Sequence, residues 1–415
     1  MRARASIPPS WHSASCSSSF SSTASAAPAS AAASSPTPAE LGFRMPGEYE
    51  RHAGTWMAFP YNPTFWRDGA RPGQAQMAAL ATAISQFEQV WMLADPQVAE
   101  VARSHFRSVS GVEVVEIPTN DIWIRDWGPT CIVRDDPASG RREMAAVRWD
   151  YNCYGAPVKM AAGLPVLMSD WSKDRAAGRS LPSRHGLRPF DCALHLEGGS
   201  VHSDGQGTLL ATEECLLHPS RNPGLSRTQI ESQLCAQLGA SKVLWLPRGM
   251  AGDEEGTNGH VDNVACFAEP GTVLLAWSEH PDDPQTSVAA QNLAALQVPC
   301  PEPPVVSSLA DVTGLAARAA GTGYAKVFTL EAGMRLPGSY LNHYIVNGGV
   351  VVPQFGGAQS RSDASALEVL AAAYPDRKVI GVLTRELLLN GGNIHCLTQQ
   401  LPAEGPTGLA GRGGV

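Results

Sequence analysis

Short apolar runs recur along the chain at residues 90–94, 112–117, 208–211, 243–246, 272–277, 344–352 and 379–383. They are rich in Val, Ile and Leu and often bounded by Gly or Pro, which is the pattern of buried strands. Helical stretches fall between them at 74–86, 226–238 and 362–373, the last opening on Ser362-Asp363 as a start signal. The alternation predicts an α/β fold. Some strands follow one another through tight turns and others are separated by a helix, so a plain doubly wound sheet is not assured. No internal repeat is evident in the sequence. From Leu41 to Pro402 no linker is long enough to separate two domains, and Pro301-Glu302-Pro303-Pro304 marks only a loop. One large domain over 41–402 is expected, followed by a flexible tail over 403–415.

The first 40 residues have a different character. Residues 1–39 contain 13 Ser and 11 Ala, start with Arg2 and Arg4, and have no acidic residue before Glu40. Such a segment has too few aliphatic side chains to offset the entropy of ordering it. It also lacks the continuous apolar core of a secretory signal. Its Ser and Ala bias predicts an organelle transit peptide addressed to a plastid, with cytoplasmic or mitochondrial residence as the alternatives.

Net charge narrows the partner. With 31 Lys and Arg against 39 Asp and Glu the chain carries −8, which opposes nucleic acid and favours a small or cationic ligand. No run of eighteen apolar residues is present to span a bilayer. Nine cysteines, widely spaced and without a Cys-x-x-Cys pair, argue against a zinc or disulfide framework. Composition leaves the oligomeric state open, a homo-oligomer included.

Four polar clusters interrupt the apolar pattern: residues 120–129 around Trp123 and Asp126, residues 196–200 around Glu197, residues 259–263 with His260 and Asp262, and residues 390–396 ending in Cys396. Each lies in a Gly-rich or aromatic turn, where a rigid scaffold presents side chains to a ligand. His260 and Asp262, two apart on a strand, point to one face, and Trp123 falls on the same strand as Asp126. A thiol beside an imidazole is a nucleophile paired with an acid–base group. Two aspartates converging on that thiol repel an oxyanion and attract a planar cation, so the set points to a guanidinium or amidinium substrate. Trp123 is placed to stack on such a cation or its alkyl chain. A metal site built from His260, Asp262, His395 and Cys396 is the competing reading of the same residues.

These motifs resemble the agmatine deiminase family, within the guanidine-modifying group that includes arginine deiminases and bacterial-type peptidylarginine deiminases. The likeness runs from Pro46-Gly47-Glu48 to Cys396. Its most specific pieces are Trp123-Ile124-Arg125-Asp126-Trp127-Gly128-Pro129, Leu196-Glu197-Gly198-Gly199-Ser200, Thr212 to Leu217 followed by Arg221-Asn222-Pro223, Gly259-His260-Val261-Asp262-Asn263 and Gly391-Gly392-Asn393-Ile394-His395-Cys396. The resemblance implies a five-bladed α/β propeller with pseudo-fivefold symmetry around a narrow site. It implies Cys396 as nucleophile, His260 as acid and base, Glu197 as the carboxylate orienting His260, Asp126 and Asp262 as guanidinium holders, and no cofactor or metal. The activity it implies is hydrolysis of agmatine to N-carbamoylputrescine and ammonia, a step towards putrescine, with free or peptidyl arginine as the alternative substrate. One departure stands out: Asp253-Glu254-Glu255-Gly256-Thr257-Asn258 carries an extra residue before His260. Glu254 or Glu255 is expected to line the mouth and receive the distal amine of agmatine.

Overall fold

The computed structural model describes residues 35–254, 256–278, 281–297, 305–310 and 335–404. Residues 1–34 of the expected transit segment and most of the C-terminal tail lie outside the described residues, as does Glu255. Sixteen strands are present in that part of the chain. They are β1 His52–Ala58, β2 Gln89–Ala94, β3 Val112–Glu116, β4 Thr130–Asp135, β5 Arg142–Arg148, β6 Arg188–Asp191, β7 Val201–Ser203, β8 Thr208–Thr212, β9 Lys242–Leu246, β10 Ala265–Glu269, β11 Thr272–Trp277, β12 Val305–Ala310, β13 Tyr344–Val346, β14 Gly349–Gln354, β15 Lys378–Leu383 and β16 Gln399–Pro402.

Five separate sheets share one internal order. Four are β4-β5-β6, β7-β8-β9, β10-β11-β12 and β13-β14-β15, and the fifth is β16-β1-β2-β3. In every sheet the first two strands pair antiparallel and the second and third parallel, and the fifth sheet adds β3 parallel to β2. A parallel step requires a crossover, and each sheet supplies a helix for it: Arg71–Ile84, Ser172–Arg184, Arg227–Leu238, Pro284–Leu296 and Ser360–Ala373. The chain is therefore a β-β-α-β unit used five times, a repeat that the sequence hides.

Local chemistry explains these elements. Arg227–Leu238 starts on a capping box, where Ser226 and Gln229 satisfy each other's free backbone amides, and ends on Gly239 at φ 63°. The strands in the middle of each sheet are covered on both faces, so β8 is buried at every position and β14 at all but its last. The expected start of the last long helix is displaced. That helix begins at Ser360, and the Asp363 carboxylate instead accepts the Phe355 and Gly356 amides and the Tyr340 hydroxyl. The apolar run 344–352 is likewise not one strand, since it folds back at Asn347-Gly348, with Gly348 at φ 73°, to make the β13–β14 hairpin.

The connections from one sheet to the next carry the polar clusters. Asp126 precedes β4, Glu197 precedes β7, His260 and Asp262 precede β10, Asn342 precedes β13 and Cys396 precedes β16. Four of these connections end in a single helical turn before the strand: Ile124–Trp127, Gly198–Ser200, Val261–Asn263 and His395–Leu397. His260-Val261-Asp262 and Trp123 to Asp126 are thus turns and not strands. Equivalent positions of a repeated unit converge, which period-two reasoning on single segments does not show.

Candidate active site

Asp126 reaches the site from a four-residue helical turn that is entirely buried. One of its oxygens accepts the Tyr154 hydroxyl at 2.8 Å and the other accepts the Gly199 amide at 3.2 Å. Tyr154 is held for this by an unusual backbone, with Cys153, Tyr154 and Gly155 all at positive φ (52°, 57° and 81°). Consecutive left-handed residues are costly for side chains with a Cβ and persist where the surrounding packing over-determines them. Gly199 has to be glycine, because a Cβ there falls 2.7 Å from His260 Nδ1, 2.8 Å from Asp262 Oδ2 and 3.0 Å from Asp126 Oδ1.

Glu197 and His260 form the second layer. The His260 ring, with no exposed surface, lies with Nδ1 3.6 Å from Asp126 and Nε2 3.7 Å from Glu197. Burial alone opposes its charged form, but Asp126, Cys215 and Glu197 outweigh that and hold its pKa well above the ordinary histidine value. Glu197 stays ionised in turn. Burial works against its charge, yet Arg221 and His260 bring its pKa down to about 2. Arg221 is fully buried and has every nitrogen engaged: Nε on Glu197 at 2.8 Å, Nη1 on the Tyr154 carbonyl and Asn258 Oδ1, Nη2 on the Thr257 carbonyl. A buried guanidinium held this rigidly fixes Glu197 relative to both His260 and the Tyr154 turn.

Cys396 lies on the opposite side of the site. Its Sγ donates towards Asp262 Oδ2 at 3.4 Å and receives the Asn342 side-chain amide at 3.2 Å. Asp262 is engaged from behind by His395 Nδ1 at 2.9 Å, while His395 Nε2 faces Glu48 at 2.8 Å. Carboxylates only accept, so both ring nitrogens must carry protons and His395 is an imidazolium. That buried cation overcomes desolvation and lowers the Asp262 pKa below its ordinary value. Cys396 is shifted the other way. Burial, followed by the charges of Asp262 and Asp126, pushes its thiol well above the ordinary range.

A cavity opens over this floor. Trp123, Asp126, Tyr154 and Cys396 line its base, with Phe65, Met168, Leu336 and Leu389 on the walls. Trp123 is fixed by its indole N–H on Asp121 at 2.8 Å, and Gly392 packs against its ring, since a Cβ there falls 2.5 Å from the indole. Five of the expected site residues, Cys396, His260, Glu197, Asp126 and Asp262, are brought together here, and Trp123 lies beside them.

The acidic rim differs from expectation. Asp253 lines the cavity, but its oxygens accept the Thr257 and Gly259 amides and the Thr257 hydroxyl, which makes it a staple of the loop. Glu254 is exposed, turns back onto the Gly252 amide at 3.1 Å and does not line the cavity. A basic residue, Arg335, also lines it, paired with Asp283 at 2.6 Å. Tyr154, Asn342 and Glu48 were not assigned site roles from sequence, and His395 entered only as a ligand of the competing metal reading. Asn342 and Tyr154 sit in segments without a distinctive polar cluster, so little in the sequence marks them.

Comparison with known proteins gives the class first. Residues 44–402 match the family described as Porphyromonas-type peptidyl-arginine deiminase, and the chain belongs to that family. Within it, the chain is 40% identical over 388 residues to the agmatine deiminase of Medicago truncatula, an alignment covering 88% of this chain and 98% of that protein. It is also 40% identical over 381 residues to the agmatine deiminase of Pseudomonas fluorescens, covering 88% and 97%. Among solved structures, the agmatine deiminase of Enterococcus faecalis superposes with a TM-score of 0.80 at 36% identity, covering 89% of this chain and 98% of that one.

Proposed function

We propose that the protein is an agmatine deiminase, hydrolysing agmatine to N-carbamoylputrescine and ammonia on the way to putrescine. The observation that carries this is the grouping at and beneath the cavity floor: Cys396 and Asp126 line the cavity, Asp262 lies under the thiol at 3.4 Å, and the His260 imidazole lies 3.6 Å from Asp126. The relatives' activity supports it. The guanidinium lies between Asp126 and Asp262, which places its carbon against Cys396 Sγ and supplies the orientation part of catalysis. In the free site the field of the two carboxylates keeps the thiol protonated. An arriving cation cancels that field, and the thiol then gives up its proton to solvent and becomes the nucleophile.

Attack forms the C–S bond and a tetrahedral adduct. His260, already an imidazolium, gives its proton to the departing nitrogen, which leaves as ammonia, and a thiouronium remains on Cys396. Neutral His260 then takes a proton from water as the oxygen adds to the same carbon, and collapse breaks the C–S bond, the hydroxyl proton passing to the departing Cys396 sulfur as the ureido product is released. Glu197, fixed by Arg221, orients His260 and stabilises its charge. A metal-ligand role for His260, Asp262, His395 and Cys396 fits less well, because His395 has both nitrogens engaged by carboxylates. The five sheets, repeated in order and sense, are read as blades of a five-bladed α/β propeller with the site at its centre.

Arg335 favours a second reading, deimination of arginine, since a guanidinium on the cavity wall is a partner for a carboxylate. One assay separates the two: purified protein given agmatine, free arginine or a peptidyl arginine, with ureido product and ammonia measured. Agmatine is expected to be turned over with by far the highest kcat/KM, and Cys396→Ser to abolish it. Comparable kcat/KM on arginine would replace the agmatine reading, and ureido product from Cys396→Ser would remove the thiol mechanism. Residues 1–40 are proposed to direct import into a plastid. Fused to a fluorescent reporter in a plant cell, they should place it there, and cytosolic fluorescence would withdraw the address.

A further inference from the structure

A second thiol lies against the catalytic imidazole. Cys215, Glu197 and His260 each offer one ligand atom, and the three atoms all fall within 4.8 Å of one another. None of the three residues is more than 1% exposed. Cys215 is presented by the turn Glu213–Leu216, capped by Thr212, whose hydroxyl also bonds the Gly259 carbonyl next to His260. The turn carrying the thiol and the segment carrying the imidazole are therefore tied together. Arg221 occupies only Oε1 of Glu197. Glu197 Oε2 and His260 Nε2 face each other at 3.7 Å, and both are buried without a hydrogen-bond partner. Buried polar atoms left unpaired in this way are uncommon and mark a place for a ligand.

We infer that Glu197, Cys215 and His260 form a binding site for a thiophilic divalent cation of the zinc and cadmium class, occupied at the cost of turnover. One sulfur, one imidazole nitrogen and one carboxylate oxygen are the donors such ions select, whereas magnesium and calcium require mostly oxygen. Binding forms the sulfur–metal bond and releases the Cys215 thiol proton. It also displaces the Nε2 proton of the imidazolium, so occupancy rises with pH. Thiolate and carboxylate then neutralise the divalent charge. With His260 pinned as a ligand its proton transfer stops, which lowers kcat and leaves KM little changed. A cation on Asp126 and Asp262 would instead compete with the guanidinium and raise KM. Because the three donors are buried, onset is slow. The loss of turnover rests on His260 being the acid–base group, but binding does not.

Cadmium added to the full-length protein gives a thiolate-to-metal charge-transfer band that reports binding without reference to activity. A saturable band is expected in the wild type and in Cys396→Ser, with at least tenfold weaker binding in Cys215→Ala and in Cys215→Ser, both checked for a wild-type thermal melt. In parallel, cadmium should lower wild-type kcat at least tenfold at constant KM, reversibly with chelator. A band that is lost in Cys396→Ser and retained in Cys215→Ala overturns the proposal, as does the absence of any saturable band. Cadmium binding through Cys215 with kcat unaffected would leave the site standing and remove His260 as the acid–base group.

Discussion

Asp126 lines the cavity floor and Asp262 lies beneath the Cys396 thiol, both at most 2% exposed, yet their surroundings drive them apart. Burial raises Asp126 first, Asp262 and Glu197 add to the effect, and the opposing His260 and Tyr154 leave its pKa at about 6. Asp262, backed by the His395 imidazolium, stays ionised well below that. An ionised Asp126 is needed to receive a guanidinium, so kcat/KM for agmatine should fall about tenfold per pH unit below pH about 6. The sign for stability is the reverse of the usual carboxylate case. Because the folded pKa is raised, the ionised side chain costs stability above pH about 6, and that cost is relieved as pH falls towards the unfolded value. Asp126→Asn should therefore lose most activity, lose the acidic limb of the kcat/KM profile, and melt no lower than wild type at pH 8. A variant that melts far below wild type while turning over normally would make Asp126 a structural ion-pair partner.

At the scale of elements, what was legible in the sequence follows from where burial is complete. The apolar runs at 90–94, 112–117, 208–211, 243–246, 272–277 and 379–383 match strands β2, β3, β8, β9, β11 and β15, and 344–352 covers β13 and the start of β14. Among the strands missed, two are polar or short. β6 reads Arg-Pro-Phe-Asp and is largely exposed, and β7 has only three residues. Pairing rather than side-chain pattern makes them strands. The polar clusters were legible for a different reason: charged and Gly-rich segments between apolar runs are costly unless they bind something, and four of the five connections carry one. Among the described residues the fifth connection places Arg335 and Leu336 on the cavity wall and Asn342 against Cys396 and Asn263, and that neutral amide looks ordinary in the sequence. The acidic triplet was legible as charge but not as direction, because a run of charge does not say which way each side chain turns, and Glu255 lies outside the described residues. Here the loop uses Asp253 to close on itself and sends Glu254 outward.

The whole molecule depends on joining its two ends. β1, near the start of the described chain, pairs antiparallel with β16 near its end, through His52↔Pro402, Gly54↔Leu401, Thr55↔Gln400 and Trp56↔Gln399. The other four sheets are each built from one continuous stretch of chain, so this is the one sheet whose strands come from both ends. The connection that delivers β16 also delivers Cys396, and His395 on the same turn reaches Glu48 from the start of the chain. Pairing of β1 with β16 and placement of the nucleophile thus rest on the same segment. A chain ending at Thr398 keeps Cys396 but removes β16, a strand buried at all four positions. It leaves the backbone of β1 without a partner on that side, at about 1–3 kcal/mol for each buried group left unpaired. Such a truncation is expected to lose activity entirely and to unfold at a much lower temperature in a broader transition. A chain ending at Glu404 should match wild type in both measurements, since β16 and its contacts are then intact. If the chain ending at Thr398 melted and turned over like wild type, the pairing of the two ends would be incidental, and Cys396 would owe its position to the His395–Leu397 turn and Asn342 alone.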